Sequence, residues 1–288
     1  MSDRSHRFKL GRFECMVVND GTFAYPHPAQ IFFANAPKER LEQVLREHNL
    51  DSQQWEQYVS PYLSLVIDTG QHRVLVDTGA DGMAPTTGKL VENLQAGGTS
   101  PEDIDVVILT HGHPDHIGGN IDRKGKPAFK NARYVMWKDE WDFWIPKPDL
   151  SQMKIDEELK QLLVTFARNN LPPIQGQLDL VDQESEIVPG IKAVSAPGHT
   201  PGHMAVAISS EGENLLCFSD AAIHPIHLEQ PDWYSVFDLA PEQALASKRR
   251  LMDKAVADEA LVFAFHFSFP GLGHIVQRGE EWQWQPIA

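Results

Sequence analysis

The run Thr110-His111-Gly112-His113-Pro114-Asp115-His116-Ile117-Gly118-Gly119 places three histidines and one carboxylate within six residues. Imidazole nitrogens and carboxylate oxygens are borderline donors that suit Zn, Fe or Mn. His111 and His113 stand two apart, so on extended backbone they point to the same side. Pro114 bends the chain, and Asp115 and His116 can then face a second position. A lone histidine would read as part of a solvated polar loop. Four potential ligands behind an apolar run read as a metal site.

The element that must position them is Val106-Val107-Ile108-Leu109, an apolar run that predicts a buried strand. Gly118 and Gly119 allow the chain to turn tightly after the cluster. The cluster therefore sits in a loop at the C-terminal end of a core strand, where α/β proteins commonly place sites. Three more candidate ligands each follow a predicted strand: His199 within 197–203, Asp220 after 215–218, and His266 after the apolar run 260–265. Together the seven side chains are five histidines and two aspartates, the complement that two divalent ions sharing a carboxylate and a water need. Within 197–203, His203 reads as a structural turn residue. Asp77, at the end of another strand, reads as an orienting group for backbone or for a ligand histidine.

Composition narrows the function. At 288 residues the chain can bury a full core. A net charge of −15 repels phosphate backbones, and Lys248-Arg249-Arg250 lies in a helical pattern, so no nucleic-acid partner is expected. The two cysteines, Cys15 and Cys217, lie in apolar strand-like contexts and read as buried free thiols of a reducing compartment. The N-terminal residues lack the apolar core of a signal peptide, and no apolar run reaches ~18 residues. A cytoplasmic protein with no membrane partner is expected. A homodimer through 22–61 is expected from size alone.

Strands are predicted at 7–20, closing on the turn Asn19-Asp20-Gly21, and at 62–67, 73–77, 133–137, 186–188, 191–196, 204–208 and 215–218. Helices are predicted at 37–48, 89–96, 154–168 and 241–256, with a short one near Asp51-Ser52. Ser100-Pro101 reads as a capped turn before the histidine strand. Residues 22–61 and 138–175 are long and aromatic, and read as insertions in a single domain spanning 1–288, lying near the site. Strands in both halves, each accompanied by helices, suggest two sheets packed face to face with helices outside.

Thr110–Gly119 resembles the T-H-x-H-x-D-H-x-G-G signature of the metallo-β-lactamase superfamily. Asp77-Thr78-Gly79, His199, Asp220 and His266 follow in the order that family uses. The resemblance implies an α/β (α+β) fold: a four-layer αβ/βα sandwich of two mixed sheets flanked by helices. It implies that His111, His113 and His199 hold one metal, that Asp115, His116 and His266 hold the second, and that Asp220 bridges them. It implies two divalent ions, zinc first, with Mn, Fe or Co as alternatives, and a bridging hydroxide that attacks an ester, lactone or organophosphate triester. Asp115 and Asp220 are then the catalytic carboxylates. Around Asp220 and His266 the sequence is similar to methyl parathion hydrolase-like members. Lactonase-like members carry a tyrosine three residues after the bridging aspartate, where this chain has Ile223, and many members have glycine where it has Ser219.

His224 and His274 are further candidates for contact with a leaving group. Tyr25, Phe32, Phe33, Trp144 and Trp233 are candidate walls of a pocket for a small uncharged molecule, since apolar walls disfavour charge. Two other activities fit the same ligands: β-lactam hydrolysis, or a di-iron redox or metal-binding module without hydrolase activity.

Overall fold

The computed structural model describes residues 4–51, 54–279 and 281–287. Its first sheet holds β1 (Ser5–Leu10), β2 (Phe13–Pro26), β3 (Gln57–Asp68), β4 (Arg73–Val76), β5 (Val106–Ile108), β6 (Arg133–Trp137) and β7 (Leu178–Val181), paired in chain order. The second holds β8 (Glu186–Val188), β9 (Ile191–Ser195), β10 (Met204–Ser210), β11 (Glu213–Cys217), β12 (Leu261–Phe263), β13 (Leu272–Arg278) and β14 (Glu281–Pro286), again in chain order. Both sheets are mixed. Pairs β4–β5, β5–β6, β6–β7 and β11–β12 are parallel and the others antiparallel.

The sheets bury their facing sides in one core, where Val17, Leu65, Val76 and Ile108 meet Val206, Ile208, Leu215 and Cys217. Strand alternation sends Val18, Val66, Leu75 and Val107 to the other face. Both cysteines are buried free thiols. The helices are α1 (Pro28–Phe32), α2 (Lys38–Glu47), α3 (Leu90–Ala96), α4 (Pro114–Ile117), α5 (Lys138–Trp144), α6 (Glu157–Asn170), α7 (Ile226–Glu229) and α8 (Pro241–Ala257). Of these, α3, α5 and α6 pack on the outer face of the first sheet and α8 on that of the second, while α1 and α2 pack in a separate cluster with Ile223, Ile226 and Trp233. Parallel neighbours need crossovers. Each crossover leaves the same edge of the sandwich, and that edge collects the loops after β4, β5 and β11. No helix among the described residues is long and apolar enough to cross a membrane.

Three local expectations are corrected. The stretch 7–20 is two strands, because Gly11, at φ 53, turns the chain between β1 and β2. Asn19-Asp20-Gly21 ends no strand: β2 bulges there and runs on to Pro26 against β3. The segment 22–61 is therefore strand at both ends, with α1 and α2 between. The cap expected at Asp51 or Ser52 falls partly outside the described residues, since 52–53 are not described. Strands β7, β13 and β14 were not expected. Their half-exposed, polar-interrupted sequences lack the apolar runs that mark the core strands.

Candidate metal centre

The centre is built from strand ends. Beyond β5, the Thr110 backbone N–H and hydroxyl both donate to the Asp77 carboxylate, at 2.8 Å to Oδ1 and 2.8 Å to Oδ2. Asp77 sits at φ 61, a left-handed conformation unusual for a residue with a side chain. Its N–H bonds Ile108 O at 2.9 Å and holds it there. His113 precedes α4, whose first residue is Pro114, a proline suited to the first helical turn. Gly119 lets this turn press on the loop after β4: an added Cβ would lie 2.1 Å from Thr78 O. After β11, Ser219 occupies φ 47, where glycine is favoured, and its hydroxyl lies 2.8 Å from Thr110 Oγ1. That turn directs Asp220 inward.

Two groups of donors result. His111, His113, His199 and Asp220 form one and Asp115, His116 and His266 the other, with ligand atoms in each within 4.8 Å of one another. Asp220 stands between them. Its Oδ2 lies 3.8 Å from His111 Nε2, 3.3 Å from His199 Nε2 and 3.3 Å from His266 Nε2, and its Oδ1 lies 3.1 Å from His116 Nε2. Asp115 Oδ2 is 3.5 Å from His266 Nε2 and 3.7 Å from His116 Nε2.

The donors fit metal ions on physical grounds. His111 Nε2, His113 Nε2, His116 Nε2 and Asp220 Oδ1 are buried with no hydrogen-bond partner. The approach of His116 to Asp220 has the distance of a hydrogen bond but not its angle. Each such orphan costs about 1–3 kcal/mol unless something else satisfies it. Those of His111, His116 and Asp220 meet at one place, an arrangement that cations satisfy, and His113 turns its Nδ1 there, 3.0 Å from His199 Nε2. Burial, reinforced by neighbouring imidazoles, holds His111 and His113 well below the usual histidine range, in the neutral form that binds metal. Burial pushes the Asp220 carboxyl up, but His116, His266 and His111 outweigh it and hold the group well below the carboxylate range.

Outer partners fix the rings. His116 Nδ1–H donates to Asp77 Oδ2 at 2.8 Å, and His199 Nδ1–H to Asp238 Oδ1 at 2.8 Å. Ser60 Oγ lies 3.1 Å from His266 Nδ1. Buried Glu140 ties the ligand loops together. Its carboxylate accepts from Gly112 N at 2.8 Å, Gly202 N at 2.9 Å and Trp144 Nε1 at 2.6 Å. Of these partners only Asp77 was expected from sequence. Ser60, Glu140 and Asp238 carry no local motif.

His203 belongs to neither ligand group. Its Nδ1–H donates to Ala196 O at 2.9 Å, which leaves Nε2 to accept the Asp220 backbone N–H at 3.1 Å. His203→Ala is therefore expected to keep two ions per chain but to hold them about 10–100-fold more weakly, as an outer partner does. Competition titration with a chromogenic chelator measures this. A variant that takes up only one ion would make His203 a ligand.

A cavity of about 430 Å³ opens onto the centre, reaching His113, Asp115, His199, Asp220 and His266. Tyr25 and Phe32 line it. Unanticipated walls are Ile31, Ile223, Phe237 and the stripe Leu159, Leu162 and Leu163 on α6. Five other candidate residues do not line it. Phe33 and Trp233 are buried in the aromatic cluster behind α1, off the cavity. Trp144 is fully buried beneath the site, 5.7 Å ring to ring from His113, and does not line the cavity. His224 does not face it either. Its ring packs 4.9 Å from Tyr58 and 5.5 Å from Phe33, and its Nδ1 accepts from Ile226 N. His274 is exposed on β13, 3.2 Å from Ala260 O at the far end of β12 from His266.

Two mixed seven-stranded sheets, face to face under helices, with two His/Asp groups at one edge define a metal-dependent hydrolase of the αβ/βα sandwich class. Residues 58–266 match the profile of the metallo-beta-lactamase superfamily, and the chain belongs to that superfamily. It is 26% identical over 227 residues to the N-acyl homoserine lactonase of Bacillus cereus, covering 72% of this chain and 81% of that protein. The N-acyl homoserine lactonase of a Bacillus sp is 28% identical over 179 residues, 62% of each chain. Among solved structures, AidC, a dizinc quorum-quenching lactonase in complex with a product, superposes with a TM-score of 0.90 at 29% identity, covering 99% of this chain and 98% of that one. The hydrolase AbOPH superposes with a TM-score of 0.87 at 24% identity, covering 100% and 99%, a likeness of fold alone.

Proposed function

We propose that this chain opens small uncharged lactones bearing an apolar acyl chain, as a single catalytic unit over residues 1–288. The observation that carries the reading is the cavity itself. Ile31, Phe32, Leu159, Leu162, Ile223 and Phe237 make an apolar channel that ends on the two ligand groups. Among its described lining residues there is no lysine or arginine, so it offers no counter-charge to a phosphate monoester, a nucleotide or another anion. The likeness to N-acyl homoserine lactonases supports the same substrate class.

His111, His113 and His199 are the proposed ligands of one ion, Asp115, His116 and His266 of the other, and Asp220 of both. Zinc is proposed for both because imidazole and carboxylate donors suit it, although Mn, Fe and Co accept the same donors. When bound, such ions supply a Lewis acid for the carbonyl oxygen and a nucleophile from water near neutral pH. The chain's own residues do the rest. The apolar wall holds the acyl chain and excludes water. Asp115, on the cavity surface, orients the attacking water and accepts its proton. Asp77 and Asp238 keep His116 and His199 in the tautomers that face inward.

The test is a panel on zinc-loaded protein: N-acyl homoserine lactones of increasing chain length, p-nitrophenyl esters, a chromogenic β-lactam and a neutral aryl phosphotriester. The lactones are expected to show the highest kcat/KM, by at least about tenfold, rising with chain length as each buried methylene adds ~0.8 kcal/mol. A phosphotriester or β-lactam that outperforms every lactone would contradict the assignment.

A further inference from the structure

Tyr25 on β2 and Tyr62 on β3 lie across the strand pair that leads into the site, and their hydroxyl oxygens are 2.8 Å apart. Either oxygen can donate by distance, but the surroundings decide the direction. Tyr62 is fully buried, its ring 5.3 Å from that of His266 and 5.8 Å from that of Phe265. Among the described residues its hydroxyl has no hydrogen-bond partner except Tyr25. An O–H buried without an acceptor costs about 1–3 kcal/mol. Tyr62 therefore donates and Tyr25 accepts. Tyr25 keeps its own proton, and no protein atom among the described residues receives it.

Tyr25 is a lining residue of the cavity. Tyr25 is half-buried in the wall that also includes Asp115, Asp220 and His266, clamped edge-on by Phe23 at 5.0 Å and Phe32 at 5.2 Å. Burial, and then the charges of Asp115 and Asp220, push the phenol well above its ordinary range, so it stays protonated. The wall position three residues after Asp220 is Ile223, which has no hydroxyl to offer.

Resting on the lactonase reading, we propose that Tyr25 is a catalytic residue whose hydroxyl donates a hydrogen bond to the substrate's carbonyl oxygen as charge collects there. As the attacking oxygen bonds to the carbonyl carbon, the C=O π pair moves onto that oxygen, and the Tyr25 proton stabilises it without transfer. When the pair returns, the ring C–O bond breaks, and the proton shed by the attacking water ends on the departing hydroxyl. The phenol is neutral throughout and is neither consumed nor regenerated. A donor aimed at a developing oxyanion contributes up to about 10²–10³ in kcat, less where a Lewis acid shares the charge.

Tyr25→Phe and Tyr62→Phe separate this role from a structural one. Both remove the same single hydrogen bond and nothing else of size. If the pair only braces the strands, the two variants must suffer alike. With zinc content checked by elemental analysis, Tyr25→Phe is expected to keep two ions, to hold KM for an N-acyl homoserine lactone within about threefold, and to lose about 10–100-fold in kcat. Tyr62→Phe is expected to lose at least tenfold less. Calorimetry of the ring-opened hydroxy acid, which presents a carboxylate to the same donor, is expected to show weaker binding in Tyr25→Phe alone. Equal losses in the two variants, or wild-type kcat in Tyr25→Phe, would overturn the role while leaving the lactonase reading intact. A wild-type protein inert to every lactone would overturn that reading and this role with it.

Discussion

Asp220→Asn is expected to bind fewer than two ions per chain and to lose at least about 10³-fold in turnover. The Asp220 carboxylate lies within 3.8 Å of the Nε2 atoms of imidazoles from both ligand groups. An amide keeps its volume and its backbone contact with His203, so folding is not at issue. It removes the negative charge that four imidazoles surround, and one of the two oxygens that can bind metal. Loss of roughly 4 kcal/mol of transition-state stabilisation corresponds to about 10³ in rate. Elemental analysis and lactone turnover measure both effects. Two tightly held ions with wild-type turnover would remove Asp220 from its bridging position.

The second large effect concerns stability. Glu140→Ala is expected to lower the unfolding free energy by about 3–5 kcal/mol, and the melting temperature by ~10 °C, among the larger single-site losses. The truncation orphans three buried donors, the N–H groups of Gly112 and Gly202 and the Trp144 indole, at about 1–3 kcal/mol each. It also opens a cavity beneath the site. The packing there is tight: a Cβ on Gly202 would lie 2.2 Å from Glu140 N. Gly112 sits between His111 and His113, and Gly202 between His199 and His203, so the ligand loops loosen as well. Zinc affinity is expected to fall about 10–100-fold. Differential scanning calorimetry of the zinc-loaded variant checks the first figure. A melting temperature within ~2 °C of wild type would show that the loops stand without this carboxylate.

Much of the centre was legible because its ligands follow apolar strands, and one cluster is contiguous. His111, His113, Asp115 and His116 need only a strand before them and a glycine turn after them. His199, Asp220 and His266 could be read for the same reason, each at the end of a core strand. Residues whose role arises only where distant segments meet were not legible. Glu140 lies on α5, 28 residues from the Gly112 it holds, and Asp238 lies 39 residues from His199. The misreadings have a common cause, the inference of spatial nearness from chain nearness. His224 is four residues from Asp220, but the turn after β11 sends it into the aromatic cluster around Phe33 and Tyr58. His274 is eight residues from His266, yet pairing of β13 with β12 carries it to the opposite end of the strand. Trp144 carried the aromatic signal of a pocket wall, but its indole N–H is committed to Glu140. The true walls on α6 are an ordinary leucine stripe, indistinguishable in sequence from a helix face packed on a core.

The convergence of seven side chains on a pair of cations is tested most directly by an anomalous difference map at the zinc edge from crystals of zinc-loaded protein. Two peaks are predicted, one among His111, His113 and His199 and the other among Asp115, His116 and His266, with Asp220 touching both. A single peak, or peaks that leave Asp220 untouched, would contradict the account.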